Sequence, residues 1–248
     1  MKKLLYAAIL FLSPTTTATS VESSVTQTEI VAPVPNYRTT EINNSYTTME
    51  RKVRNATVRV TSLRGHGTGG LIEYKGMQLI LTAHHVADGN LGDAYLVSTP
   101  YEQQLGVLIY KDPLNDMSLL YLPVEIIHSD PMKYRTNSTI VEVGENITYS
   151  GYPTWHNLLS FRGHVAGFEV LPEAGQQIIL QAYGYFGCSG AVVYDDDGDI
   201  LGVLWGIDVQ RQQIQQNIVW VSPIQNLNID LALSALCAGM PEKPRACR

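Results

Sequence analysis

The sequence predicts an all-β protein closed by one helix near its C-terminal end. Three observations predict it. Apolar residues recur in short alternating stretches along most of the chain, as in half-buried strands. Gly, Pro and Asp turns separate these stretches at close intervals, the pattern of a barrel or sandwich. A helical period is convincing only at the end, over Ile224, Leu227, Leu231, Leu233 and Leu236, with Ser222-Pro223 as its start.

Composition agrees with a packed domain. Hydrophobic residues make up 45% of the 248 and charged ones only 16%. That length suits one β-rich unit or two fused barrels. The net charge is −6 and the pI about 5.5, so nothing favours nucleic acid or an anionic membrane as partner.

The elements follow in order. Met1-Lys2-Lys3 precedes an apolar run, Leu4 to Leu12, and then the small residues Ala18-Thr19-Ser20. This is the pattern of a secretory signal over residues 1–20, and it is shorter than the roughly 20 apolar residues of a membrane span. A soluble, exported protein, periplasmic or secreted, is expected, with no stable membrane insertion. Residues 21–50 are rich in Thr, Ser, Asn and Pro and read as a flexible arm. Order is expected from 51, with an alternating strand through Ala56–Val60.

Gly67–Ile72 and Leu79–Leu81 flank a turn at Tyr74-Lys75-Gly76. Strands are expected at Ala94–Ser98, Gln104–Tyr110 and Ser118–Leu122, making a first set over about 51–128. After Ser129-Asp130-Pro131 a second set, about 138–222, takes in Ile140–Val143, Asn146–Ser150, Arg162–Val170, Ile178–Ala182, Gly190–Tyr194, Ile200–Leu204 and Asn217–Val221. The helix is expected over about 223–236. Three cysteines are an odd count. Cys237 and Cys247 either pair in an oxidising compartment or remain terminal thiols.

The chemistry centres on Gly187-Cys188-Ser189-Gly190. Alone, that tetrapeptide is equally a turn. A hydroxyl between glycines also suits a nucleophile, because glycine lets backbone N–H groups aim at a reacting oxygen. Upstream, Leu79–Thr82 runs into Ala83-His84-His85, and Asn115-Asp116 opens another apolar run, Met117–Leu120. A base, an acid and a hydroxyl thus follow in the order His, Asp, Ser.

These residues resemble the chymotrypsin-like serine proteases in three motifs: Thr82-Ala83-x-His85, Asp116-x-x-Leu119-Leu120 and Gly187-x-Ser189-Gly190. Gly67-Thr68-Gly69-Gly70-Leu71-Ile72 is similar to the Gly-rich strand of HtrA-type proteases and bacterial glutamyl endopeptidases. Val143–Pro153 and Asp199–Gly206 resemble the segment opening their second barrel and the strand lining their cleft. The steps from 85 to 116 and from 116 to 189, 31 and 73 residues, also resemble these compact enzymes, and a PDZ-like segment is not expected.

The resemblance implies two six-stranded antiparallel β-barrels and a serine endopeptidase acting on protein or peptide substrates without a cofactor. It implies Ser189 as nucleophile, His85 as base and then acid, Asp116 as the partner that orients His85, and the Gly187 and Ser189 N–H groups as oxyanion hole. The Thr-Ala-x-His register selects His85 over His84, and Asp116, not Asp112, leads into the apolar run. Cys188 stands where trypsin-like zymogens carry an aspartate, so their activation switch is not expected here. Ala191 replaces a usual glycine. Tyr183, Phe186, Leu204, Trp205 and Gly206 would border the S1 pocket. None is charged, so P1 side chains are expected to be small or medium and apolar, since an unpaired buried charge costs several kcal/mol.

His66, His128, His156 and His164 lack metal-ligand spacing. Asp195–Asp199 reads as a solvated hairpin turn. Two other readings remain open: a catalytically silent binding module on the same fold, and a viral or phage processing protease.

Overall fold

The computed structural model describes residues 45–136, 141–154, 156–210, 213–239 and 247. The expected signal at 1–20 and most of the arm lie outside the described residues. Where the description starts, it departs from the expectation: helix α1 (Thr48–Asn55) occupies the end of the arm. Its first turn carries a capping box. The Thr47 Oγ1 accepts from the Glu50 N–H at 3.2 Å, and Glu50 Oε2 accepts from the Thr47 N–H at 2.7 Å.

The first barrel comprises β1 (Thr57–Ser62), β2 (Gly65–Tyr74), β3 (Met77–Thr82), β4 (Ala94–Ser98), β5 (Gln103–Asp112) and β6 (Met117–Tyr121). They pair in the order β1-β4-β5-β6-β3-β2, and β1 closes on β2. Lys75 (φ 50°) and Gly76 (φ 75°) make the two-residue turn between β2 and β3. Both central residues have positive φ, the geometry whose twist matches paired strands. A two-residue strand, β7 (Met132–Lys133), adds in parallel to β2.

The second barrel comprises β8 (Asn146–Gly151), β9 (Leu159–Leu171), β10 (Gly175–Gln181), β11 (Val192–Tyr194), β12 (Ile200–Gln210) and β13 (Gln213–Pro223), closed in the order β10-β13-β12-β11-β8-β9. The expected strand at Ile140–Val143 is not formed at 141–143. Gly144 (φ 91°) turns the chain there, and Val143 is 65% exposed. Asp195–Asp199 is a turn between β11 and β12. Asp195 Oδ1 accepts from the N–H groups of Asp197 (2.9 Å) and Asp199 (2.8 Å). Among the described residues no cluster is suited to hold a metal ion.

The chain end also differs from the expectation. β13 runs through Pro223, a 3₁₀ turn follows at Ile224–Asn226, and helix α2 spans Ile229–Gly239. Asn228 Oδ1 caps α2 by accepting from the Leu231 N–H at 2.9 Å. Ala232 and Leu233 are buried against the first barrel's core, while Leu231, expected on that face, is 60% exposed. Cys237 and Cys247 are joined by a disulfide with Cα atoms 5.4 Å apart. No helix among the described residues is long and apolar enough to cross a membrane.

Candidate active site

The base and acid candidates sit at the ends of two neighbouring strands. β3 and β6 are antiparallel partners, with Leu81 opposite Leu119 and Thr82 opposite Ser118. All four are fully buried, so this register is fixed by the core. His85 lies three residues past Thr82, and Asp116 immediately before β6. Asp116 Oδ2 meets His85 Nδ1 at 2.6 Å, and its Oδ1 accepts from the His85 backbone N–H at 2.8 Å. A carboxylate only accepts, so Nδ1 carries a proton, and in the neutral ring Nε2 is then the nitrogen with the lone pair.

The two neighbours that competed in the sequence have other partners. Asp112 accepts from the N–H groups of Leu114 and Asn115 and from the Asn115 amide, which folds the loop presenting Asp116. Asp116 itself is left-handed (φ 49°), a conformation that aspartate tolerates better than most residues. His84 is partly buried with Nδ1 3.4 Å from Ser118 Oγ, and burial pushes its pKa below the ordinary 6.5.

Ser189 lies on the loop between β10 and β11, partly exposed. Glycines bring it to the first barrel. A Cβ on Gly67 would come within 2.5 Å of Val86 Cγ2 and 2.8 Å of the Ser189 carbonyl. One on Gly190 (φ 90°) would collide with the Thr68 carbonyl and Thr82 Oγ1. The serine loop therefore packs directly on the strand and turn that lead to His85.

Every carbonyl from Tyr185 to Ser189 is held. Tyr185 O accepts from Cys188 N–H (3.0 Å), Phe186 O from Thr154 N–H (2.7 Å) and Cys188 O from Ala191 N–H (2.9 Å). Gly187 O accepts from Thr68 Oγ1 (2.7 Å), and Ser189 O from Thr68 N–H (2.8 Å). The N–H groups of Gly187 and Ser189 have no hydrogen-bond partner among the described residues. Gly187 adopts φ 93°, and a Cβ there would collide with the Tyr152 carbonyl, so glycine is required on both counts.

Cys188 is fully buried in the second barrel's core, and burial pushes its thiol up to about 11. It stays protonated at neutral pH and is packed among apolar side chains.

The expected pocket residues divide. Tyr183 is 41% exposed and stacks on Phe161 of β9 at 5.2 Å, while its carbonyl accepts from the buried Tyr149 hydroxyl. Phe186 is 52% exposed, edge-on to Tyr185. Trp205 donates from Nε1 to Gln177 Oε1 at 3.0 Å, and Gly206 lies opposite Trp220. Leu204 departs from the expectation. Its side chain is 1% exposed within the barrel core, in the same cluster as Cys188 and Ala191, and its carbonyl accepts from Gly190 N–H at 2.7 Å.

Thr68, Tyr152 and Thr154 were not singled out from the sequence. The one signal was a hydroxyl between Gly67 and Gly69 in a glycine-rich strand.

Comparisons with known proteins bear on the family and the fold. A family model described as a trypsin-like peptidase domain matches residues 67–203. The pro-apoptotic serine protease NMA111 of Scheffersomyces stipitis is 26% identical over 186 residues, covering 66% of this chain and 19% of that protein. The uncharacterized y4bJ protein of Sinorhizobium fredii is 30% identical over 143 residues, 56% of this chain and 21% of its own length. The chain thus spans about a fifth of these curated relatives. Among solved structures, an inactive form of Rv3671c from M. tuberculosis H37Rv, a serine-to-alanine variant, superimposes with a TM-score of 0.61. It is 20% identical and covers 86% of this chain and 100% of that one. The HtrA-type protease AlgW with a tripeptide gives 0.63 at 18% identity, covering 77% and 64%. At these identities the two structures establish the fold alone. The family match extends over more than half of the chain, from the glycines of β2 through the serine loop to β12, and by it this protein belongs to the trypsin-like peptidase domain family.

Proposed function

We propose that this protein is an exported serine endopeptidase that cleaves peptide bonds through an acyl-enzyme intermediate. One observation carries the proposal: a serine loop packed on the strand that leads to an imidazole whose other nitrogen is bonded to a carboxylate. In this reading His85 Nε2 takes the Ser189 proton as the hydroxyl attacks the scissile carbonyl, then returns it to the leaving amine. Asp116 fixes the tautomer and stabilises the imidazolium that forms. The Gly187 and Ser189 N–H groups receive the oxyanion, where one donor is worth about 3–4 kcal/mol.

Tyr183, Phe186, Trp205 and Gly206 border the proposed S1 site. Their lack of charge supports uncharged P1 residues such as Ala, Val or Leu, and a peptide library tests this. A strong preference for Arg, Lys or Glu at P1 would contradict it. Export is supported by the signal pattern at residues 1–20 and is tested by the N-terminus of protein recovered from its host.

The deciding experiment treats the protein with a fluorophosphonate and maps the adduct by mass spectrometry. Labelling at Ser189, abolished in Ser189→Ala together with hydrolysis, is expected. Hydrolysis that persists in folded Ser189→Ala would sink the assignment, and a folded wild-type protein without labelling or turnover would identify a silent binding module.

A further inference from the structure

We infer that the Thr68 hydroxyl is a positioning residue: it locks the Gly187 peptide so that its N–H points to the reacting oxygen. This rests on the function proposed above for the same site.

Thr68 is fully buried on β2, and all of its polar atoms are used. Oγ1 donates to Gly187 O at 2.7 Å and accepts from Tyr152 N–H at 3.0 Å. Its N–H donates to Ser189 O at 2.8 Å, and its carbonyl accepts from Thr82 Oγ1 at 2.7 Å. A hydroxyl has one proton to give, and here it goes to Gly187. The bonds form a ring. Thr68 holds Tyr152, two residues on Thr154 N–H holds Phe186 O at 2.7 Å, and the next carbonyl, Gly187 O, returns to Thr68.

Phe186 C=O and Gly187 N–H are opposite sides of one planar peptide. Holding the carbonyl on one side directs the N–H to the other. Without that hold the peptide is free to turn over, because a glycine with φ 93° flanks it and has no side chain to resist. Thr154, the donor, is itself left-handed (φ 50°), so its direction depends on what holds the segment before it. Arg59 contributes from the first barrel, stacking on the Tyr152 ring at 4.7 Å and donating to His156 O at 3.2 Å. Thr68 differs from Arg59 in touching both loops at once.

The ladders hold the Thr68 backbone independently of its hydroxyl. Thr68 pairs with Arg59, and Gly69 with Thr82. Thr68→Val, equal in shape and lacking only the hydroxyl, therefore leaves β2 in register and keeps the Thr68 N–H bond to Ser189 O, while it loses the bonds to Gly187 O and from Tyr152 N–H.

The test compares Thr68→Val, Thr68→Ser and the wild type in peptide hydrolysis and in inhibition by a peptide boronic acid, whose tetrahedral adduct carries the oxyanion. Thr68→Val is expected to lower kcat about 10- to 100-fold with KM unchanged, and to weaken the boronate by a similar factor. Thr68→Ser, which keeps the hydroxyl, is expected to restore both. Wild-type kcat and boronate affinity in Thr68→Val would overturn the inference, as would an equal loss in Thr68→Ser. If Thr68→Val does not fold, Thr68→Cys replaces it. Its thiol is a weak donor, so a lower kcat than that of Thr68→Ser is expected, and equal rates would overturn the inference. Ser189→Ala separates this inference from the proposal beneath it. Hydrolysis by Ser189→Ala removes the nucleophile assignment itself, whereas an inactive Ser189→Ala beside a fully active Thr68→Val removes only the role of Thr68.

Discussion

The two barrels supply their parts of the site by different physical means. In the first, His85 and Asp116 meet because β3 and β6 end side by side in a register that the buried pairs Leu81–Leu119 and Thr82–Ser118 enforce. A slip of one residue would turn these side chains out of the core, so the base–acid distance is backed by the whole apolar cluster. In the second, Ser189 belongs to no ladder. Its loop is set by single hydrogen bonds, several of them from Thr68 and Thr154, and by glycines that allow close approach. Core packing fixes the His85–Asp116 bond, and polar clasps fix the loop that carries Ser189. Clasps of this kind are worth about 1 kcal/mol each in net stability, so the serine loop is the part that one substitution can misalign without unfolding the protein.

The contrast breaks first at the charge. Asp116→Asn leaves β6 and its core intact and removes the negative partner of His85. It is expected to lower kcat on the order of 10⁴-fold with little change in the unfolding midpoint, because the wrong imidazole tautomer is then favoured. Steady-state kinetics beside thermal unfolding check this, and a fall of less than tenfold would remove Asp116 from its role.

A second test moves to the cores. Leu119→Ala and Leu180→Ala each empty a fully buried site, one in each barrel, and each is expected to cost about 2–5 kcal/mol in chemical denaturation. Only Leu119→Ala is expected also to disturb the downfield resonance of the His85 Nδ1 proton, since only that cavity adjoins the β3–β6 register. A disturbance of equal size in both variants would show that the register does not set the base–acid bond.

The smallest effect sharpens the comparison at the surface. Helix α1 is tied to the second barrel by Arg162, whose Nε and Nη2 donate to Glu50 Oε1 at 2.6 Å and Oε2 at 2.7 Å. Arg54 adds a bond to the Leu158 carbonyl at 2.8 Å. The Arg162 hydrogen bonds, ahead of the opposing effect of burial, hold the Glu50 carboxyl below its ordinary 4.5. A carboxylate depressed in the folded state stabilises fully above its unfolded value, and that contribution is lost as pH falls through the folded value. Arg162 is 58% exposed, so solvent screens the pair, and Glu50→Gln is expected to cost only about 1 kcal/mol at neutral pH. Urea midpoints of the variant should also fall less steeply than those of the wild type below pH 4.5. Parallel pH profiles would show that the pair does not couple to folding.

Much of the fold was legible because its signals are local. Short apolar or alternating stretches along β4, β5, β6 and β8 mark strands whatever surrounds them, and Tyr74-Lys75-Gly76 marks its turn through the positive φ that glycine accepts. The candidate residues His85, Asp116 and Ser189 were legible for a similar reason: each stands beside a short run of characteristic residues. Helix α1 was not. Eight residues without tertiary contacts make a marginal helix, and the capping signal Thr47-x-x-Glu50 was present but sat in a polar segment that resembled a linker. The helix also rests on Arg162, distant in sequence. Ser222 and Pro223 show the same limit at the other end, where pairing of β13 with β12 carries the strand through the expected start of the helix.

The sequence by itself determined the strand pattern, the order of base, acid and hydroxyl, and the glycines that make a tight serine loop possible. Only the tertiary structure decided that the Leu204 side chain is core, that Cys188 is a buried neutral thiol and that Thr68 clasps two loops. The physical reason is distance along the chain. Thr68 lies 84 residues from Tyr152 and 119 from Gly187, and a hydroxyl carries no periodicity that would announce such partners. Its direction is set only when two barrels close and bring the three backbones within hydrogen-bond reach.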